Sequence, residues 1–132
     1  MKILDSDHCV AILRARLDLT GRLAPDEEIA TTSISVGELV HGASKSQRSV
    51  ENLARLDVLL AALTILPYDE WSARRFGQIK AQLEIAGEII SDLDLQIASI
   101  ALDHDAALVT HNVRHFTRLT TLVGLALEDW LA

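Results

Sequence analysis

The 132-residue chain has one cysteine, Cys9, and two prolines, Pro25 and Pro67. A lone cysteine excludes an intrachain disulfide and a cysteine-rich zinc site. Aromatic residues make up only 4% of the chain, and two tryptophans, Trp71 and Trp130, are too few for a base-stacking platform. Basic residues are scarce as well: 12 Lys and Arg stand against 19 Asp and Glu, a formal net charge of -7. That balance argues against a general nucleic-acid binder. It argues less strongly if several carboxylates surround a cation, because their charge then belongs to the ion. No apolar run approaches the roughly 20 residues of a membrane span. Asp5 and Asp7 interrupt any signal-peptide core, so a cytoplasmic location is expected. There is no phosphate-binding glycine loop, and no serine or cysteine sits in a nucleophile-elbow context.

What is present is an ordinary globular composition, 49% hydrophobic and 23% charged, of a length that suits one domain over residues 1–132. Lys2 to Leu4 is a short apolar strand, followed by a helix over about 7–17. The β-branched run 29–34 favours a second strand, with a helix over about 36–43 behind it. Residues 47–63 are helical by spacing, and 64–66 form a strand stopped by Pro67. Asp69 looks like the N-cap of a helix that ends at Gly87. The 91–102 segment is apolar on both sides and reads as a central helix. ALVT at 107–110 is another buried strand, and LALEDW near the end holds a fifth. This alternation predicts an α/β fold: a short parallel sheet of four to five strands with helices on both faces.

Open parallel sheets bind ligands outside the carboxyl ends of their strands. Asp5 and Asp7 follow the first strand, Ser35 and Glu38 the second, and His111 and Asn112 follow ALVT. Asp92 and Asp94 open the central helix. Each acid has a plain alternative as a helix cap: Asp7 alone, Ser35 to Glu38 as a capping box, Ser91 to Asp94 as another. Asp5 weighs against that reading, because it ends an apolar strand where no cap is needed. A buried, unpaired carboxylate is costly unless neutralised, and further acids at the same edge repel it unless a cation lies between them. Hard oxygen ligands suit Mg²⁺ or Mn²⁺. Glu38 and His41 have the spacing of a di-iron helix but lack the second copy. His111 and His115, four apart, lack a third ligand and read as surface histidines, and Cys9 reads as core.

Four segments, LDSDHCVAIL at the start, SVGELVHGA up to Ala43, SDLDLQIASIAL at 91–102 and ALVTHNVRHFTRL at 107–119, resemble in this order the motifs of PIN-domain ribonucleases. The similarity is greatest to the VapC-type toxins of bacterial toxin–antitoxin pairs, and it spans nearly the whole chain. It implies a single PIN domain acting as an Mg²⁺-dependent endoribonuclease, with Mn²⁺ as a possible substitute. By this resemblance Asp5, Glu38 and Asp94 are the metal-binding and catalytic acids, and Asn112 stands at the family's fourth acidic position. Asp7, Asp92 and His115 are neighbours of that set. The resemblance further implies an RNA substrate, a cognate VapB-type antitoxin and a homodimer. Val50, Leu53, Leu56, Leu60 and Leu63 give the 47–63 helix a wide apolar face, part of which is expected to be an interface.

Two alternatives remain open on sequence. DSDHC resembles the start of haloacid-dehalogenase-type phosphatases, which use an aspartyl nucleophile, although Cys9 stands where that motif has threonine. A non-catalytic receiver-like domain with an acidic Mg²⁺ pocket is the other, although no lysine follows ALVT.

Overall fold

Successive residues of a strand point to opposite faces, and in this molecule both faces are dry. In the computed structural model, which describes residues 1–132, Ile3 and Leu4 are both fully buried. Ile3 packs into one hydrophobic cluster and Leu4 into another. Leu108 and Val109 divide the same way. Continuous apolar strands of this kind belong to parallel sheets covered on both sides.

The elements run β1 (Lys2–Leu4), α1 (Ser6–Leu13), β2 (Ile29–Thr32), α2 (Ser33–Ser44), α3 (Ser49–Ala61) and β3 (Thr64–Leu66). They continue with α4 (Glu70–Ile85), α5 (Asp92–Asp103), β4 (Ala107–Val109), α6 (Val113–Val123) and β5 (Leu127–Glu128). All five strands are parallel, in the order β3-β2-β1-β4-β5. The smaller cluster joins Leu4 and Val109 to Cys9 of α1, Leu39 of α2, Leu56 of α3 and Trp130. The larger one lies among α4, α5 and α6, with Leu95, Ile100, Phe116 and Leu119 fully buried. The centrality expected of the 91–102 helix is borne out: Leu95 and Ile97 through Ala101 are all buried.

Several boundaries differ from the sequence expectation, each for a local reason. α1 stops at Leu13 rather than near 17. Ala15 adopts a left-handed backbone (φ 54°), Ala15 N–H donates to Ile12 O and Arg16 N–H to Ala11 O, the two bonds of a Schellman ending. β2 stops at Thr32 rather than Ile34, because the Thr32 hydroxyl accepts the Ser35 N–H at 3.1 Å and caps α2. The apolar face of α3 is mostly internal. Leu56 is core, and Leu59, Leu60 and Leu63 pack against it. Val50 and Val58 remain exposed, at 84% and 75%.

Candidate active site

The chain winds outward from β1 to β3, then returns to lay β4 on the other side of β1. The strand order therefore reverses between β1 and β4, where open α/β sheets leave a crevice at the carboxyl ends. Asp5 leaves β1 at this point and Thr110 leaves β4. Asp5 N–H donates to Val109 O at 2.9 Å, extending the ladder by one bond. The Asp5 side chain then turns to two donors: Ser6 N–H reaches Oδ1 at 2.8 Å and the Thr110 hydroxyl reaches Oδ2 at 2.8 Å.

Asp5 is thus the N-cap of α1, contrary to the expectation that no cap is needed there. It is also 4% exposed, and neither of its donors carries charge. Burial pushes its carboxyl above the usual range. The Thr110 hydrogen bond opposes that rise, and the charges of Asp7 and Asp94 add to it.

Asp7 is not a cap but the second residue of α1. Burial would raise its carboxyl too, but hydrogen bonds from His8 and from the His111 N–H outweigh it, and the group lies below the ordinary range. His8 Nδ1 is 2.6 Å from Asp7 Oδ1, and His111 N–H donates to Oδ2 at 3.0 Å. On the far side of the ring, Trp130 N–H donates to Nε2 at 3.1 Å. That bond fixes the tautomer: Nε2 accepts, so Nδ1 carries the proton that Asp7 receives. The fully buried His8 so ties the C-terminal segment to the acidic edge. Asp129 is held alongside, 3.0 Å from His111 Nδ1.

Glu38 lies beyond the first turn of α2, because the cap is Thr32. The capping-box reading of Ser35 and Glu38 therefore fails, and the carboxyl is released from any local structural duty. Partial desolvation raises its pKa first, followed by repulsion from Asp5, Asp94 and Asp7. Asp94 sits in the first turn of α5, where Ser91 Oγ accepts its N–H at 3.2 Å. The Asp94 carboxylate faces His115 Nδ1 at 3.3 Å. Asn112 precedes α6, gives its N–H to Thr110 Oγ1 at 3.1 Å and does not cap the helix with its side chain.

The structure therefore brings Asp5, Asp7, Glu38 and Asp94 into one electrostatic neighbourhood and places Asn112 beside Thr110. Asp92 is turned away, paired with Lys80 at 3.0 Å. His111 and His115 are exposed, as expected, but each faces an acid. Cys9 is buried and its thiol is pushed up to about 12, chiefly by burial, so it offers no nucleophile. Thr110 and His8 were not singled out from sequence. A threonine ending a buried strand and a histidine one residue after an acid were the only signals.

No three His, Cys, Asp or Glu side chains stand close enough together to hold a metal ion as they are. The charge distribution nevertheless suits one. None of the four acids pairs with Lys or Arg, and only Asp7 and Asp94 face a histidine. Carboxylates that repel one another around a buried member, with hard oxygen donors throughout, match a divalent cation better than any group within the chain.

The PIN-domain family model matches residues 2–121. Ribonuclease VapC2 of Rickettsia felis is 35% identical over 132 residues, covering 97% of this chain and 96% of its own. The tRNA(fMet)-specific endonuclease VapC of Shigella flexneri is 32% identical, covering 97% and 96%. Among solved structures, the Rickettsia felis VapBC2 complex bound to promoter DNA aligns with a TM-score of 0.87 at 34% identity, over 98% of each chain. The DNA-bound VapBC of Salmonella typhimurium aligns at 0.86 and 30% identity, over 98% and 97%. These similarities leave the phosphatase and receiver alternatives without support, and no lysine follows β4, where His111 and Asn112 stand. The chain belongs to the PIN-domain family, and within it to the VapC ribonucleases.

Proposed function

We propose that this protein is the endoribonuclease toxin of a VapBC-type toxin–antitoxin pair, with a PIN domain that takes in the whole chain, residues 1–132. PIN-domain nucleases depend on divalent metal, and here the ion would be Mg²⁺, with Mn²⁺ able to replace it. Asp5, Glu38 and Asp94 would hold it, and Asn112 completes the site as a neutral donor and acceptor. The observation that carries this reading is the position of Asp5: 4% exposed, hydrogen-bonded only by uncharged groups, and repelled by two further acids. A bound divalent ion supplies an activated water and offsets charge on the scissile phosphate and leaving oxygen.

The chain's own groups supply position. Thr110 and Ser6 fix both Asp5 oxygens, so the carboxylate presents one orientation. Thr110 also takes the Asn112 N–H, which sets the start of α6 against Asp5. His8 and the His111 N–H occupy both oxygens of Asp7, leaving that residue to shape the site rather than to bind the ion. No side chain acts as a covalent nucleophile.

The substrate class is structured RNA, in keeping with the transfer-RNA endonuclease VapC among the relatives, and a cytoplasmic location goes with that reading. The partner is a VapB-type antitoxin, and the toxin itself forms a homodimer. The test is cleavage of bacterial RNA by the purified chain. Chelator should abolish it and Mg²⁺ or Mn²⁺ restore it, whereas undiminished cleavage in excess chelator would refute the metal assignment. A sedimentation measurement showing monomer at tens of micromolar, with and without antitoxin, would refute the dimer (dissociation constants in that range mark weak association).

A further inference from the structure

Asp7, His8, His111, Asp129 and Trp130 come from three places in the chain: the first turn of α1, the turn between β4 and α6, and the segment after β5. Their hydrogen bonds close into a ring. Trp130 N–H donates to His8 Nε2 at 3.1 Å, and His8 Nδ1 donates to Asp7 Oδ1 at 2.6 Å. Asp7 Oδ2 accepts the His111 N–H at 3.0 Å. The His111 imidazole returns to Asp129 Oδ2 at 3.0 Å, and Asp129 adjoins Trp130. From outside the ring, the Arg22 guanidinium holds the Trp130 carbonyl at 3.3 Å.

The turn between β4 and α6 has few bonds of its own. The His111 N–H goes to Asp7 and the Asn112 N–H to Thr110 Oγ1, and no side chain caps α6. Thr110 Oγ1 in turn donates to Asp5. The place of Asn112 against Asp5 is thus set by two carboxylates, Asp5 through Thr110 and Asp7 through His111. A carboxylate whose other oxygen is unheld can swing and carry the turn with it. His8 removes that freedom, because neutral imidazole carries a donor and an acceptor on one rigid ring.

We propose that His8 is a positioning residue of the nuclease centre: it orients Asp7 and, through the His111 N–H, fixes the β4–α6 turn and Asn112 against Asp5. The proposal rests on the nuclease reading given above. The Trp130 N–H keeps the imidazole in the tautomer that donates to Asp7. Misplacing reacting groups slows the chemical step more than it weakens substrate binding. A histidine serving only to clasp the segment after β5 would make activity follow stability.

Two amides separate the two ends of the imidazole. His8→Asn keeps a donor where Nδ1 stood and loses the acceptor for Trp130. His8→Gln keeps an acceptor where Nε2 stood and loses the donor to Asp7. The Trp130 N–H bond is buried, whereas the Asp7 side chain is 26% exposed and can turn to water. The melting temperature in chelator should therefore fall further in His8→Asn. Cleavage of unfractionated bacterial transfer RNA in Mg²⁺ should rank the other way. In His8→Gln kcat should fall by about tenfold or more, the usual cost of losing an outer-shell partner. Its KM should stay within about threefold, and His8→Asn should recover most of the lost kcat. The His111 amide should exchange faster with solvent in His8→Gln, measured in chelator, and not in His8→Asn. Asp7→Ala should lower kcat as far, and adding His8→Gln to it should cost little more. That variant also judges the proposal if His8→Gln does not fold. Wild-type kcat in His8→Gln or in Asp7→Ala would overturn it. So would cleavage losses that follow the melting temperatures of the two amides, or losses that add in the double variant. A Mg²⁺ requirement raised by about tenfold in His8→Gln, read from the metal-induced rise in melting temperature, would place Asp7 on the ion and overturn it as well. Failure of the wild type to cleave RNA in Mg²⁺ would instead strike at the nuclease reading, while amide exchange in chelator would still judge whether His8 holds the turn.

Discussion

Asp5 combines three roles that usually fall to different residues. Its N–H extends the β1–β4 ladder, its side chain caps α1, and its carboxylate is the buried member of the acidic edge. Capping explains why an aspartate is tolerated at the end of a core strand. It does not explain why Glu38, Asp94 and Asp7 gather within electrostatic reach. Thr110 tunes the group by donating to Oδ2. Thr110→Val should therefore strand a buried acceptor and destabilise the fold by about 1–3 kcal/mol. With the lowering hydrogen bond gone, the Asp5 carboxyl should rise further. The acid limb of the cleavage profile should move to higher pH, and Thr110→Ser should restore it. A profile that does not move in Thr110→Val would show that the hydroxyl has no hold on Asp5.

At the scale of elements, the alternation of strands and helices was legible because each strand is a short apolar run and each long helix has a 3.6-residue pattern. The carboxyl-edge location of the acids followed from that order alone. The caps were less legible, since serine and threonine cluster at 31–35 and each of them is of a type that caps helices. Choosing Thr32 over Ser35 moves Glu38 from a capping position to a free one, so a boundary shift of a few residues alters the functional reading. The end of α1 was illegible for a different reason: it uses alanine where a Schellman ending favours glycine. Likewise β5 is two residues long, yet the segment after it carries Trp130 and Asp129 to His8 and His111. No pattern in so short a strand announces that link. Ala15→Gly should relieve the left-handed strain and stabilise the protein by about 1 kcal/mol, read as an increased denaturant midpoint. No gain, or a loss, would mean that the Ala15 backbone is not strained.

For the whole molecule, a net charge of -7 combines with an acidic centre to make stability depend on pH and metal together. Asp5 and Glu38 have carboxyls raised in the folded state. Between the ordinary carboxylate range near pH 4 and those raised values, the folded chain holds more protons than the unfolded one. Unfolding free energy therefore falls as pH increases through that window. Asp7 and Glu128, lowered in the fold, act oppositely: their stabilisation is present above the ordinary range and lost as pH falls below it. A divalent ion binds the charged form of Asp5 and Glu38. The rise in melting temperature produced by saturating Mg²⁺ should accordingly be small near pH 4 and grow toward neutrality. A metal effect that is flat with pH, or absent, would remove these two acids from the metal site.

The most direct test of the account separates charge that holds an ion from charge that holds the fold. Asp5→Asn, Glu38→Gln and Asp94→Asn are each compared with wild type for RNA cleavage in Mg²⁺ and for melting temperature in chelator. If these acids hold the ion, cleavage should fall by orders of magnitude in each variant. The metal-free melting temperature should stay level or rise, because repulsion at the edge is relieved. Asn112→Ala should cost less activity than any of them. Near wild-type cleavage in all three acid variants, with at most a modest loss of stability, would contradict the assignment of this edge as the nuclease centre.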